Sequence, residues 1–159
     1  MLQNDTFDLT LVFGPMYHLL TEKEAIKALE EAKRITKKNG IIMVAYFMND
    51  YAIIRHGFKE HYIKEAIKNK EIENFKIKKT KDELYKMVTL NDIDKLNKKV
   101  NLKRLTIFTP DGPANYIRDV VNKLDQEEFD LFQEYVLSIS ERQDLIGASA
   151  HTVDILKKV

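Results

Sequence analysis

A chain of 159 residues, 44% of them hydrophobic, is long enough to bury one real core and too short to suggest two. Lys and Arg number 26 against 25 Asp and Glu, a net charge of +1, so no global field draws in nucleic acid or an anionic membrane. The lack of cysteine removes disulfide frameworks, thiolate nucleophiles and cysteine-based zinc sites and fits a reducing cytoplasm. The start of the chain shows no basic stretch followed by an apolar one, and no apolar run approaches the roughly 20 residues of a membrane span. The expectation is a soluble, unexported, cytoplasmic chain.

Phe7 to Phe13 is a short, nearly continuous apolar run stopped by Gly14-Pro15, the pattern of a parallel strand buried on both faces. Thr21 and Glu24 form a capping-box signature, and Ala25, Ala28, Leu29, Ala32 and Ile35 then recur at helical spacing. Lys37 and Lys38 suit the negative end of that helix, and Asn39-Gly40 supplies a left-handed exit from it. Ile41 to Phe47 reads as a second buried strand, so the three pieces form a βαβ unit. Helices are expected on both faces of the sheet.

From Asn49 to about Lys81 the pattern turns helical, with Ile53, Ile54, Phe58, Tyr62, Ile63, Ala66 and Ile67 in an apolar stripe. Within a single domain of residues 1–159, residues 49–100 are expected to form a lid-like insertion. Its cluster Lys76 to Lys81 lacks interleaved aromatics and reads as a solvated face rather than a nucleic-acid groove. A short helix is expected from Leu90 to about Lys99. Leu102 to Thr109 reads as a strand with Leu105 and Ile107 inward, and Pro110 to Pro113 as a turn. Asp125 and Glu128 repeat the capping box ahead of a helix carrying Phe129, Phe132, Tyr135, Val136 and Ile139. Gly147 then releases a last strand, Ser149 to Leu156, antiparallel in pattern, with His151, Val153 and Ile155 on its apolar face.

The stretch Phe7-Asp8-Leu9-Thr10-Leu11-Val12-Phe13-Gly14-Pro15-Met16-Tyr17-His18-Leu19 resembles the segment around the fourth strand of class I, Rossmann-like S-adenosylmethionine-dependent methyltransferases, those with a Gly-Pro-Leu-Tyr-His-Leu motif. Met16 stands where Leu is usual. Ala28-Leu29 through Ala32-Lys33-Arg34-Ile35 to Lys38-Asn39-Gly40-Ile41-Ile42-Met43-Val44 is similar to that family's passage into its fifth strand. Asp111-Gly112-Pro113 and Gly147 to His151 look like its closing antiparallel hairpin.

The resemblance covers essentially the whole chain and implies an α/β fold: the C-terminal portion of a methyltransferase, about four strands, mostly parallel with a closing antiparallel strand, plus a helical lid. It implies S-adenosylmethionine as cofactor and a small-molecule acceptor. The family's glycine-rich cofactor loop has no counterpart, because none of the five glycines, 14, 40, 57, 112 and 147, makes a Gly-x-Gly. The ribose-binding acidic residue of the second strand also has no place. The chain alone is therefore expected to bind the cofactor weakly or not at all and to be inactive. The resemblance leads to the expectation of a piece of a longer enzyme, a shortened gene product, or one half of a two-chain enzyme.

Ligands of open α/β sheets bind beyond the carboxyl ends of the strands. That position places Gly14, Pro15, Met16 and Tyr17 at the methyl donor and Tyr46, Phe47 and Tyr51 around an acceptor pocket. His18 is the titratable group there suited to general-base work, beside the plainer reading of a ring that satisfies a backbone carbonyl. His151 reads as a satisfied core histidine. His56 and His61, five apart without acidic neighbours at ligand spacing, give no metal site. Without the preceding strands, Leu9 to Phe13 is an apolar sheet edge, and a homodimer through it is expected. The alternative function is a non-catalytic interaction or dimerisation module derived from a methyltransferase.

Overall fold

The computed structural model describes residues 2–78 and 84–159. Strand β1 (Phe7–Val12) and the short helix α1 (Pro15–His18) lead into α2 (Glu22–Ile35) and the long β2 (Thr36–Met48). Helix α3 (Asn49–Ala52) runs into a π-helical segment (Ile53–Lys59). After it come α4 (Ile63–Lys68), the hairpin β3 (Ile72–Glu73) and β4 (Lys76–Ile77), β5 (Met87–Val88) and α5 (Leu90–Val100). Strand β6 (Leu102–Phe108), helices α6 (Arg118–Val121), α7 (Gln126–Ile139) and α8 (Gln143–Ile146), and β7 (His151–Lys158) complete the chain.

The main sheet has the order β1-β2-β7-β6, with β5 also paired to β2. Strands β1 and β5 run parallel to β2, while β7 runs antiparallel to both β2 and β6. The fold is thus α/β with five strands in the sheet and parallel and antiparallel pairings in equal number. Both predicted capping boxes form: Thr21 with Glu24 opens α2 and Asp125 with Glu128 opens α7. On one face of the sheet Val12, Ile42, Val44, Tyr46 and Leu156 pack under α2 and α5, against Leu29, Ile93 and Leu96. Helix α5, read from sequence as part of the insertion, therefore belongs to the layer that covers the sheet.

The opposite face departs from expectation. Leu9 and Leu11 are exposed and Ile41, Met43 and Ile155, in register with them, are only half-buried. The helices cover one face, not both, because α7 packs by Val136 and Ile139 over the Gly112 turn at the sheet's end instead of over the strands.

Four further expectations are corrected. Strand β2 starts five residues early: the Thr36 hydroxyl donates to the Ala32 carbonyl at 2.6 Å, Phe7 pairs with Thr36, and the register then jumps so that Leu9 faces Ile41. Within that bulge Asn39, at φ 65°, takes the left-handed position. Gly40 answers crowding instead, since a Cβ there would lie 2.9 Å from the Lys37 carbonyl oxygen and 3.0 Å from that of Asp8. The helical pattern read from Asn49 to about Lys81 is divided, among the described residues, into α3, the π-helical segment, α4 and the hairpin. The π-helix's i→i+5 bonding shifts the phase of the stripe and leaves Ile54, Phe58 and Ile67 exposed. Of the basic cluster Lys76 to Lys81, Lys76 and Ile77 form β4, and 79–81 lie outside the described residues.

In β6 a register shift between Arg104 and Thr106 turns Leu105 outward, 50% exposed, while Ile107 stays buried; a bulge reverses the alternation on which an inward Leu105 depended. Strand β7 is central, not half-exposed. Asp154 on its supposed mixed face is fully buried, held by Arg104 through Nε at 2.7 Å and Nη2 at 2.8 Å and by the Asn97 amide at 2.7 Å.

Helix α5 carries a capping box not foreseen from the sequence, Thr89 with Asp92, where Asp replaces the more usual Glu. Lys76 of β4 donates to the same carboxylate at 2.7 Å, tying the hairpin to the helix. Burial pushes the Asp92 carboxyl up, but the hydrogen bonds from Lys76 and Thr89 outweigh it and hold the group below its ordinary range. A depressed folded value means that its stabilisation is present above the ordinary carboxylate value of about 3.9 and is lost as pH falls through the folded one. Asp92→Asn is expected to cost about 1 kcal/mol at pH 7, and the difference in Tm from the parent should shrink as pH falls below the ordinary carboxylate value of about 3.9.

Candidate active site

At the carboxyl ends of β1 and β2 lies a cavity of about 800 Å³. Its floor is the sheet end: Tyr17 follows β1, Phe47 closes β2, Tyr51 sits on α3, and His151 opens β7 directly opposite Phe47. Its walls come from the insertion, with His56 and Gly57 of the π-helical segment, Glu60 just after it, Tyr62 and Ala66 around α4, and Glu71, Ile72 and Ile77 around the hairpin. Tyr85 and Met87 close one side. The parallel start and antiparallel finish of the sheet together place the amino end of β7 beside the carboxyl ends of β1 and β2, which is why a residue near the chain's end reaches this site.

The rings form a continuous cluster. Phe47 has its centroid 5.3 Å from that of His151, 5.8 Å from Tyr51 and 6.5 Å from both Tyr17 and Tyr85; Tyr17 lies 5.9 Å from His151. Burial and, secondarily, the Asp111 charge push the Tyr17 phenol above its ordinary value. Burial likewise raises Tyr51, and it carries Tyr116, whose ring lies 5.0 Å from Tyr51, up to about 12. These phenols are neutral hydrogen-bonding groups at neutral pH, and the Tyr116 hydroxyl donates to the Ala148 carbonyl at 2.6 Å.

The most distinctive polar element is a histidine–aspartate pair. His151 Nδ1 lies 2.7 Å from Asp111 Oδ2. The carboxylate also accepts from the Asn115 amide at 2.7 Å and the Thr109 hydroxyl at 3.1 Å. The Thr109 hydroxyl oxygen in turn accepts from the Gly112 amide at 3.1 Å, and Gly112 closes the turn at φ 46°. Because a carboxylate only accepts, it places the histidine proton on Nδ1 and leaves Nε2 as an acceptor when the ring is neutral. The His151 side chain is 40% exposed. Its hydrogen bonding is satisfied, but it lines the cavity and is not the core residue the sequence pattern implied. The misreading came from treating β7 as alternating, when its first residue lies at the sheet's end.

Two acidic side chains complete the site. Glu60 accepts from His56 Nδ1 at 2.9 Å and pairs with Arg55; the His56 hydrogen bond holds its carboxyl below the ordinary range against some desolvation. Glu71 is buried and accepts from the Tyr62 hydroxyl at 2.9 Å and the Asn69 amide at 3.4 Å. No sequence motif marked either. Only their place on the insertion, close to the strand ends, could have drawn attention to them.

Of the residues singled out in the sequence, Tyr17, Phe47 and Tyr51 line the cavity together. Gly14 turns at φ 104° with open space where a Cβ would sit, and Pro15 starts α1. Met16 and Tyr46 point the other way, into the core under α2. The Tyr46 hydroxyl, raised by burial first and by the Asp154 charge second, has no hydrogen-bond partner among the described residues. His18 is exposed, with Nδ1 3.0 Å from the Leu84 carbonyl oxygen and its ring against Tyr85, and it does not line the cavity. His56 and His61 do not converge: His56 bonds Glu60, while His61 takes φ 60° at the end of the π-helical segment. Among the described residues no three metal-ligating side chains cluster, and no helix is long and apolar enough to cross a membrane.

No family model matches the chain, and no curated protein matches its sequence. Solved structures do match in shape. An S-adenosylmethionine-dependent methyltransferase from Methanosarcina mazei aligns over 99% of this chain with a TM-score of 0.56 at 10% identity. An S-adenosylmethionine-dependent methyltransferase from Thermotoga maritima, described as a possible histamine N-methyltransferase, aligns over 99% with a TM-score of 0.53 at 18% identity. The chain spans 62% and 59% of the lengths of those two proteins. With β1 and β2 parallel, β7 and β6 closing the sheet antiparallel, and the cavity at the strand ends, the chain carries the class I, Rossmann-like fold of the S-adenosylmethionine-dependent methyltransferases.

Proposed function

We propose that this chain forms the acceptor side of an S-adenosylmethionine-dependent methyltransferase acting on a small molecule, with His151 as the base. The observation that carries this reading is the His151–Asp111 pair facing an aromatic cavity at the carboxyl ends of two parallel strands, where ligands of such sheets bind. The residues present supply only part of a cofactor site. Gly14, Pro15 and Tyr17 offer a turn and a ring at the strand end, but the chain holds no glycine-rich turn for the backbone to approach a cofactor closely. When bound, S-adenosylmethionine supplies an electrophilic methyl group. The chain's own residues do the rest: Tyr17, Phe47 and Tyr51 exclude water and orient the acceptor, His151 Nε2 takes the acceptor's proton, and Asp111 fixes the ring that receives it.

Calorimetric titration with S-adenosylhomocysteine tests this reading. Weak binding, with a Kd on the order of millimolar and abolished in Tyr17→Ala, is expected. Micromolar binding would show that the chain grips the cofactor without a glycine loop, and weak binding unchanged in Tyr17→Ala would favour the non-catalytic module.

The second reading, assembly through the sheet edge, rests on β1. Among the described residues it pairs with β2 alone, and Leu9, Leu11 and Phe13 are 50%, 55% and 49% exposed, an apolar edge of the kind that invites pairing with another copy. Sedimentation should give a homodimer for the parent and a monomer for Leu11→Lys, which places a charge in the edge without touching the core.

A further inference from the structure

We infer that the cavity is built for a cationic amine, its charged nitrogen held among the Tyr17, Phe47 and Tyr51 rings and its charge met by Glu71. This names the acceptor class of the site proposed above and rests on that reading.

The first observation is the sign of the charges. Although 26 of the 159 residues are Lys or Arg, none of the described residues lining the cavity is either, whereas Glu60 and Glu71 both line it and Asp111 stands directly behind His151. A cavity whose described lining carries carboxylates and neither lysine nor arginine repels anions and favours cations. The second is the state of those carboxylates. Glu60 already has Arg55 and His56. Glu71, only 7% exposed, receives neutral hydrogen bonds from Tyr62 and Asn69 and has no cationic partner among the described residues. A carboxylate withdrawn from water without a counter-charge is costly, and a cationic ligand offsets that cost.

The third observation is the rings. The Tyr17 and Tyr51 rings have their centroids 6.5 and 5.8 Å from that of Phe47, and clustered neutral rings lining a cavity attract a desolvated ammonium through their quadrupoles. Beyond them Ala52, Ala66, Ile72, Ile77 and Met87 give an apolar wall, which fits an amine carrying an apolar or aromatic body better than a small polar one.

The test titrates the whole chain, without cofactor, at pH 7 with 2-phenylethylamine and with 2-phenylethanol, which share a body and differ in charge. The amine should bind about tenfold tighter or more. Glu71→Gln should bring its affinity down to that of the alcohol while leaving the alcohol unchanged, which also shows that the variant is folded. Phe47→Leu, which keeps bulk and removes the ring face, should weaken the amine severalfold. Equal binding of the two ligands, binding of neither, or an amine affinity indifferent to Glu71→Gln overturns the inference. Because no cofactor is present, the outcomes separate. Amine selectivity in a chain whose S-adenosylhomocysteine binding is unchanged in Tyr17→Ala upholds the amine site and removes methyl transfer; Tyr17-dependent cofactor binding without amine selectivity overturns the amine site alone.

Discussion

Replacing Arg104 with methionine is expected to destabilise the protein by about 3–5 kcal/mol, a large part of the 5–15 kcal/mol that holds a domain of this size together. The reason is Asp154. Its carboxylate is fully buried at the centre of β7, where Arg104 grips it with two nitrogens and Asn97 supplies a third hydrogen bond. Arg104 is itself steadied by Asp94 at 2.6 Å. Removing the guanidinium leaves a buried charge without its counter-ion, the costly half of breaking such a pair. The double variant Arg104→Met with Asp154→Leu removes both charges and should recover most of the loss. Urea melts of the three proteins check this. A single variant within about 0.5 kcal/mol of the parent, the range of an ordinary surface change, would mean that the pair does not hold β6 to β7.

Replacing His151 with alanine is expected to lower methyl transfer by about 10²–10⁴-fold in any form of the protein that turns over, with the loss in kcat and little change in binding of S-adenosylhomocysteine. Asp111→Asn should act through the ring. An amide can donate to Nδ1, which would favour the tautomer with the proton on Nε2 and leave that nitrogen unable to accept. Its loss should again fall on kcat. A His151→Ala enzyme that retains its rate would return the base role to His18 or to no residue at all.

The sequence exposed the parts of this fold that rest on local rules. Gly14-Pro15 ended β1, the boxes at Thr21 and Asp125 started α2 and α7, and the apolar run from Ile41 lay within β2. What it concealed were features set by tertiary partners. The bulges at Asn39-Gly40 and Leu105 are invisible to a period-two count, the π-helical phase shift broke the stripe over 53–67, and the burial of Asp154 depends on an arginine fifty residues away. The site followed the same division. Tyr17, Phe47 and Tyr51 could be placed by the strand-end rule. His151, Asp111 and Glu71 could not, since the antiparallel closure and the hairpin bring them there from distant positions. Gly147 follows α8, a helix of one turn without a side-chain cap, so no capping motif in the sequence sets it apart from what precedes it.

The most direct test of the central claim, that the strand-end cavity faces a bound methyl donor, is an NMR titration of the isotopically labelled chain with S-adenosylhomocysteine, mapped residue by residue. Shifts concentrated at Gly14 to Tyr17, Phe47 to Tyr51 and His151 are the predicted result. Shifts clustered elsewhere, away from the carboxyl ends of β1 and β2, would contradict it.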